Sequence, residues 1–408
     1  MFIDIDMSWD WHQLSERKGN WFHMNRKTIN ALRTHLPAIL CLGLFFILLF
    51  LPTGYEEAII FQGTDRTVGK VLETDNSKLF STGMIQTGEQ RCRIKLMGGI
   101  FKGKEVEGIN MLNGSLEQDK IFNEGDRALV VISYLDQEVK SVNMIDHYRM
   151  GKEFLLIAIF VILLILFAGK TGVRALLSFA VTILMIWKVL IPGYLNGNNP
   201  IIMGFIITLA LTIIVITMVY GFDRRALSAI LGALLGTITT GILGIFFTNI
   251  FQIHGAIMAY SESLLYSGYA HLNLTQIYMA SIFIGATGAV IDLAVDITSA
   301  IYEVVDKKPD ISWKEATLSG IRVGRAAMGT MTTTLLLAYS GGYIALLMVF
   351  MAQGTPISNI LNYKYVSSQI LDTIAGSIGL VTVAPFTALT SGILLTMNNK
   401  GRPIEDLV

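Results

Sequence analysis

Residues 277–308 read IYMASIFIGATGAVIDLAVDITSAIYEVVDKK, and this stretch decides the class of the protein. Most of it is apolar, and it is longer than the roughly 20 residues that a helix needs to cross the hydrocarbon core of a membrane. Two aspartates, Asp292 and Asp296, nevertheless lie within its apolar part. Because acidic side chains are costly in lipid, those found in a spanning helix usually serve a function. The stretch therefore predicts a membrane helix that also carries chemistry.

The rest of the chain carries the same apolar signal. Of its 408 residues, 52% are hydrophobic and only 15% are charged, against about 25% charged residues in an ordinary soluble domain. Apolar runs long enough for helices occur at 36–52, 153–168, 173–191, 201–220, 226–247, 277–301, 328–352 and 370–397. They predict an all-α polytopic membrane protein of about eight transmembrane helices, with the lipid bilayer as its partner.

The distribution of basic residues between the runs predicts the orientation. Basic residues follow runs two, four, six and eight, at Lys170, Arg174, Arg224, Arg225, Lys307, Lys308, Lys314, Arg322, Arg325, Lys400 and Arg402. The loops at 192–200 and 248–276 contain neither lysine nor arginine. Since basic residues mark cytoplasmic loops, both termini are predicted to be cytoplasmic.

A basic segment before the first run favours the same orientation. Its basic residues are Arg17, Lys18, Arg26, Lys27 and Arg33. We predict an uncleaved anchor that runs from inside to outside. A cleaved signal peptide is the alternative, which the long preceding segment and the lack of a small-residue cleavage pattern disfavour.

Residues 53–149 change to a charged, alternating pattern, which is typical of strands. The clearest case is 91–96, where basic and apolar residues alternate at every position. Five strands are predicted, at 67–74, 91–96, 104–111, 128–134 and 138–145. They favour a small extracytoplasmic β-barrel-like domain of OB or SH3 type, inserted after the first helix. This domain is either a module for a ligand or partner or a structural cap on the membrane part.

The predicted organisation has four parts. They are a cytoplasmic N-terminus with the first helix (1–52), the β-rich domain (53–149), a seven-helix membrane domain (150–397) and a cytoplasmic tail (398–408). The aromatic, amphipathic loop at 254–271 is predicted to be a helix lying in the membrane interface. A re-entrant hairpin that lines a cavity is the alternative.

Small and acidic residues in the sixth run recur every three or four positions. They are Ser281, Gly285, Gly288, Asp292, Asp296, Ser299 and Glu303. This spacing places them on one helix face, which we expect to look into the bundle. Because burial and like charge both favour a proton on one aspartate, a shared proton or a bound cation is predicted at Asp292 and Asp296. The alternative is a cytoplasmic ion-pair network that fixes helix packing, with Glu303 pairing with Arg322 or Arg325.

The seventh run carries a stripe of small residues at helical spacing. The stripe comprises Ala327, Thr330, Thr334, Ala338, Gly341 and Ala345. Thr330 and Thr334 are candidates to complete a proton or cation site, and close helix packing is the alternative. Gly341 and Gly342, which follow Ser340, predict a break in the helix, a device by which transporters expose backbone groups.

Two further runs contain small residues on one face. The eighth has Asp372, Gly376 and Gly379, followed by Pro385, which is expected to bend the helix. Asp372 is predicted to be a helix cap or an interfacial residue. The fifth run has Ser228, Gly232, Gly236 and Thr240, a face typical of close helix contact.

Several classes of protein are disfavoured. The two cysteines, Cys41 and Cys92, form no metal or disulfide pattern, and no cofactor is predicted. The net charge of zero gives no footprint for nucleic acid. The sequence GKT at 169–171 lacks the earlier glycine of a P-loop, and two aspartates on one helix do not resemble a protease dyad. We therefore do not expect an enzyme, and the identity of any metal is left open.

Three motifs resemble the YibE/F-like family of multi-spanning bacterial membrane proteins. They are GATGAVIDLAVDIT at 285–298, SGIRVGRAAMGTMTTTLLLAYSGG at 319–342 and AGSIGLVTVAPFTAL at 375–389, within a likeness that covers 67–397. The resemblance implies a bacterial plasma membrane location and no particular activity. Family members often carry an acidic residue at the position of Ala326 and an asparagine at that of Thr333, so this chain has fewer polar groups there.

The sequence as a whole favours a membrane transporter or channel whose path lies between runs five and eight. In this hypothesis Asp292 is the titrating or ion-binding acid and Asp296 tunes it. The alternative is a non-transporting scaffold, assembly factor or sensor whose external domain binds a partner. A homo-oligomer or a related membrane partner is expected in addition to lipid.

Overall fold

The computed structural model describes residues 26–55 and 63–397. It separates into two compact units. The barrel unit spans Gly54–Gly169, and the remaining described residues form the helical unit. The basic residues Arg17 and Lys18 and the predicted tail at 398–408 lie outside the described residues.

The barrel unit is built on five strands. They are β1 (Thr64–Thr82), β2 (Ile85–Leu96), β3 (Glu105–Asn113), β4 (Arg127–Leu135) and β5 (Glu138–His147). All five predicted strands are confirmed. β1 and β2 are longer than predicted, because register shifts between Val71 and Glu73 and between Asp75 and Lys78 keep the long strands paired through irregular positions.

The strands close into a barrel in the order β1-β2-β3-β5-β4. All neighbours are antiparallel except β3 and β5, which pair in parallel at Ile109 and Asn143. A closed five-stranded barrel with this connectivity is an OB-type barrel, one of the two types that the sequence left open.

The alternating residues of the strands fill the barrel with an apolar core. Ile94, Val130 and Ile132 are fully buried in it, together with Phe122 from the loop between β3 and β4. Cys92 belongs to the same core, and burial raises the pKa of its thiol to about 11 because the charged thiolate loses its hydration. Both Cys41 and Cys92 are free thiols.

Two fully buried amides, Gln90 and Asn110, tie the loop after β3 to the barrel wall. The Gln90 amide donates to the Phe122 carbonyl at 2.9 Å, and its Oε1 accepts from the Phe122 N–H at 3.0 Å. Asn110 donates to Gln90 Oε1 at 3.0 Å and to the Lys120 carbonyl at 2.6 Å. Gln90 therefore provides the hydrogen-bond partners of the Phe122 backbone, which lies in a buried loop and not in a strand.

Replacing Gln90 with leucine is expected to destabilise the barrel unit by about 2 kcal/mol or more, because both backbone groups of Phe122 lose their partner in a closed interior. Hydrogen exchange of the β2 amides in the full-length protein should accelerate roughly thirty-fold. Gln86→Leu on the same strand is the control, since the Gln86 amide bonds only Ser81, at 3.4 Å and in an exposed position. Equal exchange rates in both variants would contradict the role of Gln90.

The helical elements follow in chain order. They are α1 (Arg26–Phe50), α2 (Met150–Met185), a π-helical turn (Ile186–Leu190), α3 (Ile191–Leu195), α4 (Pro200–Tyr220), α5 (Arg224–Ile250), a 3₁₀ turn (Gly255–Ile257), α6 (Ser261–Tyr266), α7 (Leu274–Lys307), α8 (Trp313–Ser340), a second 3₁₀ turn (Gly341–Tyr343), α9 (Ile344–Ala352), α10 (Ile357–Leu361) and α11 (Lys364–Thr396). The predicted interfacial helix at 254–271 is thus a 3₁₀ turn and a six-residue α6 instead of one helix.

Among the described residues, six helical segments are long and apolar enough to cross a membrane. They are Met150–Leu195, Pro200–Tyr220, Arg224–Ile250, Leu274–Lys307, Trp313–Ala352 and Lys364–Thr396. The number of long apolar segments differs from the eight predicted transmembrane helices for two reasons. Runs two and three continue into each other through Gly169, whose φ of 53° and ψ of −126° mark a kink without a loop. The first run lies in α1 (Arg26–Phe50), whose apolar part at His35–Phe50 is shorter than the six segments.

Helix α7 lies at the centre of the helical unit and packs against α4, α5, α8 and α11. Its buried side chains include Val290, Leu293 and Ile297, which share a core cluster with Leu380 and Val383 of α11. Helices α5 and α11 also pack closely against each other. Ser228, Gly232 and Thr240 are buried there, which confirms the predicted contact face of the fifth run.

Candidate functional site

The small and acidic face of α7 is open in the described chain. Asp292, Asp296 and Glu303 are all exposed, and so are Gly285 and Gly288. The prediction that this face looks into the bundle is wrong, because the inward side of α7 is its apolar side. In a bilayer, carboxylates in such positions require water or another protein surface beside them.

The cytoplasmic end of this face, as predicted from charge, is held by α4 and α5. The hydroxyl of Tyr220 donates to the Val295 carbonyl and lies within hydrogen-bond distance of Ser299 Oγ, both at 2.6 Å. The Arg225 guanidinium lies over the Tyr302 ring at 4.4 Å and pairs with Asp223 at 2.8 Å. These contacts fix the turn between α4 and α5 against α7.

The expected partners of Glu303 are not in place. Within the described residues, no ion pair joins Glu303 to Arg322 or Arg325. All three side chains are exposed. At this end of α7, packing contacts are therefore made by Arg225 and its aromatic neighbours instead of by Glu303.

The small stripe of α8 is also exposed. The hydroxyl of Thr330 donates to the Ala327 carbonyl at 3.0 Å, and that of Thr334 donates to the Thr330 carbonyl at 3.0 Å. Both threonines thus satisfy their hydroxyls within their own helix, and no hydrogen bond of the described residues joins them to Asp292. The prediction that Asp292, Asp296, Thr330 and Thr334 form one proton or cation site stays a prediction.

The predicted break after Ser340 is confirmed. α8 ends at Ser340, Gly341 and Gly342 open a 3₁₀ turn, and α9 resumes at Ile344. The nine residues of α9 span about 14 Å, which is roughly half of a 30 Å hydrocarbon core. The break is a single 3₁₀ turn, since Gly341 keeps helical φ and ψ and its N–H donates to the Leu337 carbonyl.

Asp372 lies in α11 opposite α7. Because α11 begins at Lys364, Asp372 is two turns inside the helix, and its prediction as a helix cap is wrong. The buried Tyr278 hydroxyl of α7 donates to Asp372 Oδ1 at 2.9 Å and to the Ser368 carbonyl at 3.1 Å. The Gln369 amide donates to Asp372 Oδ2 at 3.2 Å. Asp372 is therefore a half-buried acid held from two helices.

A cavity of about 200 Å³ lies between the break and α11. Its wall is mostly apolar, with a few polar side chains, Ser340, Tyr343, Gln369 and Thr373. Gln369 and the Tyr343 hydroxyl lie within interaction distance of each other in this wall. An apolar cavity with a few directed polar groups is the common form of a small-molecule site.

The structure also places the predicted residues Gly285, Gly288 and Pro385. Gly285 lies under Tyr339, whose hydroxyl would be 2.7 Å from an added Cβ, whereas Gly288 has open space. α11 continues through Pro385. Within the described residues, no group of three or more His, Cys, Asp and Glu side chains is arranged to hold a metal ion.

Sequence reasoning missed Tyr278 and Gln369. Tyr278 is separated from Asp372 by 94 positions, and a tyrosine near the end of an apolar run reads as an interfacial anchor. A signal existed for Gln369, since it lies three residues before Asp372 and hence on the same helix face.

The motifs of α7, α8 and α11 fall within one family match. The sequence model of the YibE/F-like protein family matches residues 156–397, more than half of the chain. The match begins after the barrel, whereas the expected likeness began at residue 67. No curated protein and no solved structure matches the chain. The chain belongs to the YibE/F-like protein family.

Proposed function

We propose that this chain is a bacterial plasma membrane protein that transports a small solute or ion, with both termini in the cytoplasm. Its family and its six long apolar helical segments indicate a membrane protein. The basic residues after runs four and six, Arg224, Arg225, Lys307 and Lys308, support the orientation. The substrate is a small molecule or ion that passes beside α7, α8 and α11.

One observation carries the transport proposal. The broken segment α8–α9, the 200 Å³ cavity and the Asp372 cluster lie together. Broken helices and acids in apolar segments are the devices by which transporters hold a substrate or coupling ion away from water.

The open face of α7 supplies the second part of the path. From Tyr278 to Asp292 the helix rises about 21 Å, so Asp372 and Asp292 lie at different depths along α7. On the surface between them, Gly288 has open space and Tyr339 lies over Gly285. In this mechanism Asp292 takes up the proton or cation, and Asp296, one turn further, tunes its affinity.

The flux of protons or cations into proteoliposomes under imposed gradients of these ions tests this proposal. Asp292→Asn is expected to lower gradient-driven flux at least ten-fold, because the amide neither titrates nor carries charge. Asp306→Asn is the matched control, since Asp306 is an exposed acid near the end of the same helix. Undiminished flux in Asp292→Asn would remove that residue from the mechanism, and no flux under any gradient would overturn transport.

A second function is favoured by the barrel, which forms a compact unit of its own. In this proposal the chain is a scaffold, assembly factor or sensor, and the barrel binds a partner. A second copy or a related membrane partner would then cover the open α7 face. Deleting 53–149 would abolish its activity, while Asp292→Asn would leave it intact.

A further inference from the structure

A cleft lies at the end of the barrel where the chain leaves β5 and enters α2. Its volume is about 690 Å³. The basic and aromatic residues of its wall are Arg127, His147, Tyr148, Arg149 and Lys152. All of them belong to the barrel unit. The cleft is separate from the acids and the cavity of the helical unit.

The positive charge of this cleft is only partly neutralised. Arg149 pairs with Asp146 at 2.6 Å, and this contact lowers the pKa of the Asp146 carboxyl. By contrast, Arg127 and Lys152 form no ion pair with any residue that the structure describes. Arg127 begins β4 and Lys152 lies in the first turn of α2, so two elements bring cations without a close ion pair to the same space.

The wall also holds two acids, Asp126 and Glu153, against the three cations Arg127, Arg149 and Lys152, so its formal charge is one positive unit. Asp126 Oδ2 accepts the Asn123 N–H at 2.8 Å and lies 3.9 Å from His147 Nδ1. The His147 ring in turn rests against Phe122, with centroids 4.6 Å apart. Glu153 is in the first turn of α2, where a negative charge complements the helix dipole. A negatively charged ligand is the complement of what remains.

One side of the cleft is apolar. Leu156 lines it and is 69% exposed, and Phe154 and Leu155 beside it are also exposed. From there α2 continues as an apolar helix. A free inorganic anion would use only the basic wall, whereas a phosphate that carries acyl chains would use both walls. The change from basic to apolar over one helical turn is the profile of a membrane interface.

We propose that this cleft binds the headgroup of an anionic phospholipid, with Arg127 and Lys152 on the phosphate and the acyl chains along Leu156 and α2. The proposal rests on the membrane location proposed above but not on transport. Such a lipid would hold the base of the barrel at the membrane surface. The barrel then has a fixed height above the bilayer whichever function the helical unit performs.

Lipid retention by the full-length protein tests the proposal. The detergent-purified protein is loaded from an equimolar mixture of phosphatidylglycerol and phosphatidylcholine, and bound lipid is counted by native mass spectrometry. We expect selective retention of phosphatidylglycerol. Arg127→Gln with Lys152→Gln should reduce this retention at least five-fold. Lys102→Gln with Lys140→Gln removes the same charge from exposed positions outside the cleft and should leave retention unchanged.

Each other outcome is decisive. Equal retention of both lipids, or equal loss in both double variants, would overturn the site. Displacement of phosphatidylglycerol by an equal concentration of inorganic phosphate would assign the cleft to a free anion instead. Matching melting temperatures of the two variants guard against misfolding. Selective retention by a protein that shows no flux would support this site while overturning transport, so the two proposals fail separately.

Discussion

Gly232→Val is expected to prevent the helical unit from folding. A Cβ at residue 232 would lie 2.6 Å from the Cα of Thr387 in α11, a backbone atom that cannot rotate away. Overpacking an interior commonly costs about 1–3 kcal/mol, and the cost rises when the clash is with backbone because whole helices must separate. The yield of monodisperse protein in gel filtration and its melting temperature measure the effect.

The neighbouring positions explain why the effect should be large. An added Cβ at Gly236 would lie 2.8 Å from Val383 Cβ, and one at Gly379 would clash with the Thr240 side chain. The two helices thus approach closely over several turns, which is how small residues stabilise helix pairs in membranes. Relief at Gly232 would require all these contacts to open together.

Gly288→Val on α7 is the matched control. An added Cβ at Gly288 meets nothing within 4 Å, so this variant carries the same β-branched residue in a helix without the clash. It should purify and melt like the wild type. Gly232→Val with a wild-type melting temperature would contradict the observed approach of α5 and α11.

Asp372→Asn is expected to abolish gradient-driven flux while leaving the fold intact. Asparagine retains an oxygen that can accept from the Tyr278 hydroxyl. It loses the charge, the ability to titrate and the second oxygen, which accepts from the Gln369 amide. Flux in proteoliposomes should fall at least ten-fold, and the melting temperature should stay within about 2 °C of the wild type. This separation distinguishes an ion-coupling acid from a purely structural one.

Asp372→Leu and Tyr278→Phe complete the experiment. Leucine removes the acceptor as well, so the Tyr278 hydroxyl keeps only the Ser368 carbonyl, and a loss of about 1.5–3 kcal/mol is expected for a hydrogen bond to a charged group. Tyr278→Phe leaves Asp372 with only Gln369 and should also lower the melting temperature. Wild-type flux in Asp372→Asn would assign the pair to helix packing.

Local patterns predicted the parts of this fold that depend on neighbours along the chain. Alternation in 91–96 predicted β2, because strand residues point to opposite faces in turn. The pair Gly341 and Gly342 predicted the break between α8 and α9, since glycine weakens a helix wherever it lies. Small residues at helical spacing predicted the α5 contact face, because only they admit a second backbone.

The direction of the α7 face could not be obtained in the same way. Periodicity shows that Asp292 and Asp296 share a face, but it does not show which neighbouring helices cover the other faces. The apolar side of α7, with Leu293 and Ile297, packs against α11 and so leaves the acids outside. The rule that acids look inward was outweighed by the larger area of apolar packing.

The sequence by itself determined the class of the protein, the five strands, the apolar helices and their family, because composition and periodicity are properties of local segments. Only the tertiary structure decided the Asp372–Tyr278 pair, the cavity beside the break, and the cleft that joins Arg127 to Lys152. These features unite residues from separate helices or strands, and their positions follow from which surfaces pack together. The order of residues along the chain does not show directly which surfaces pack together in the folded core.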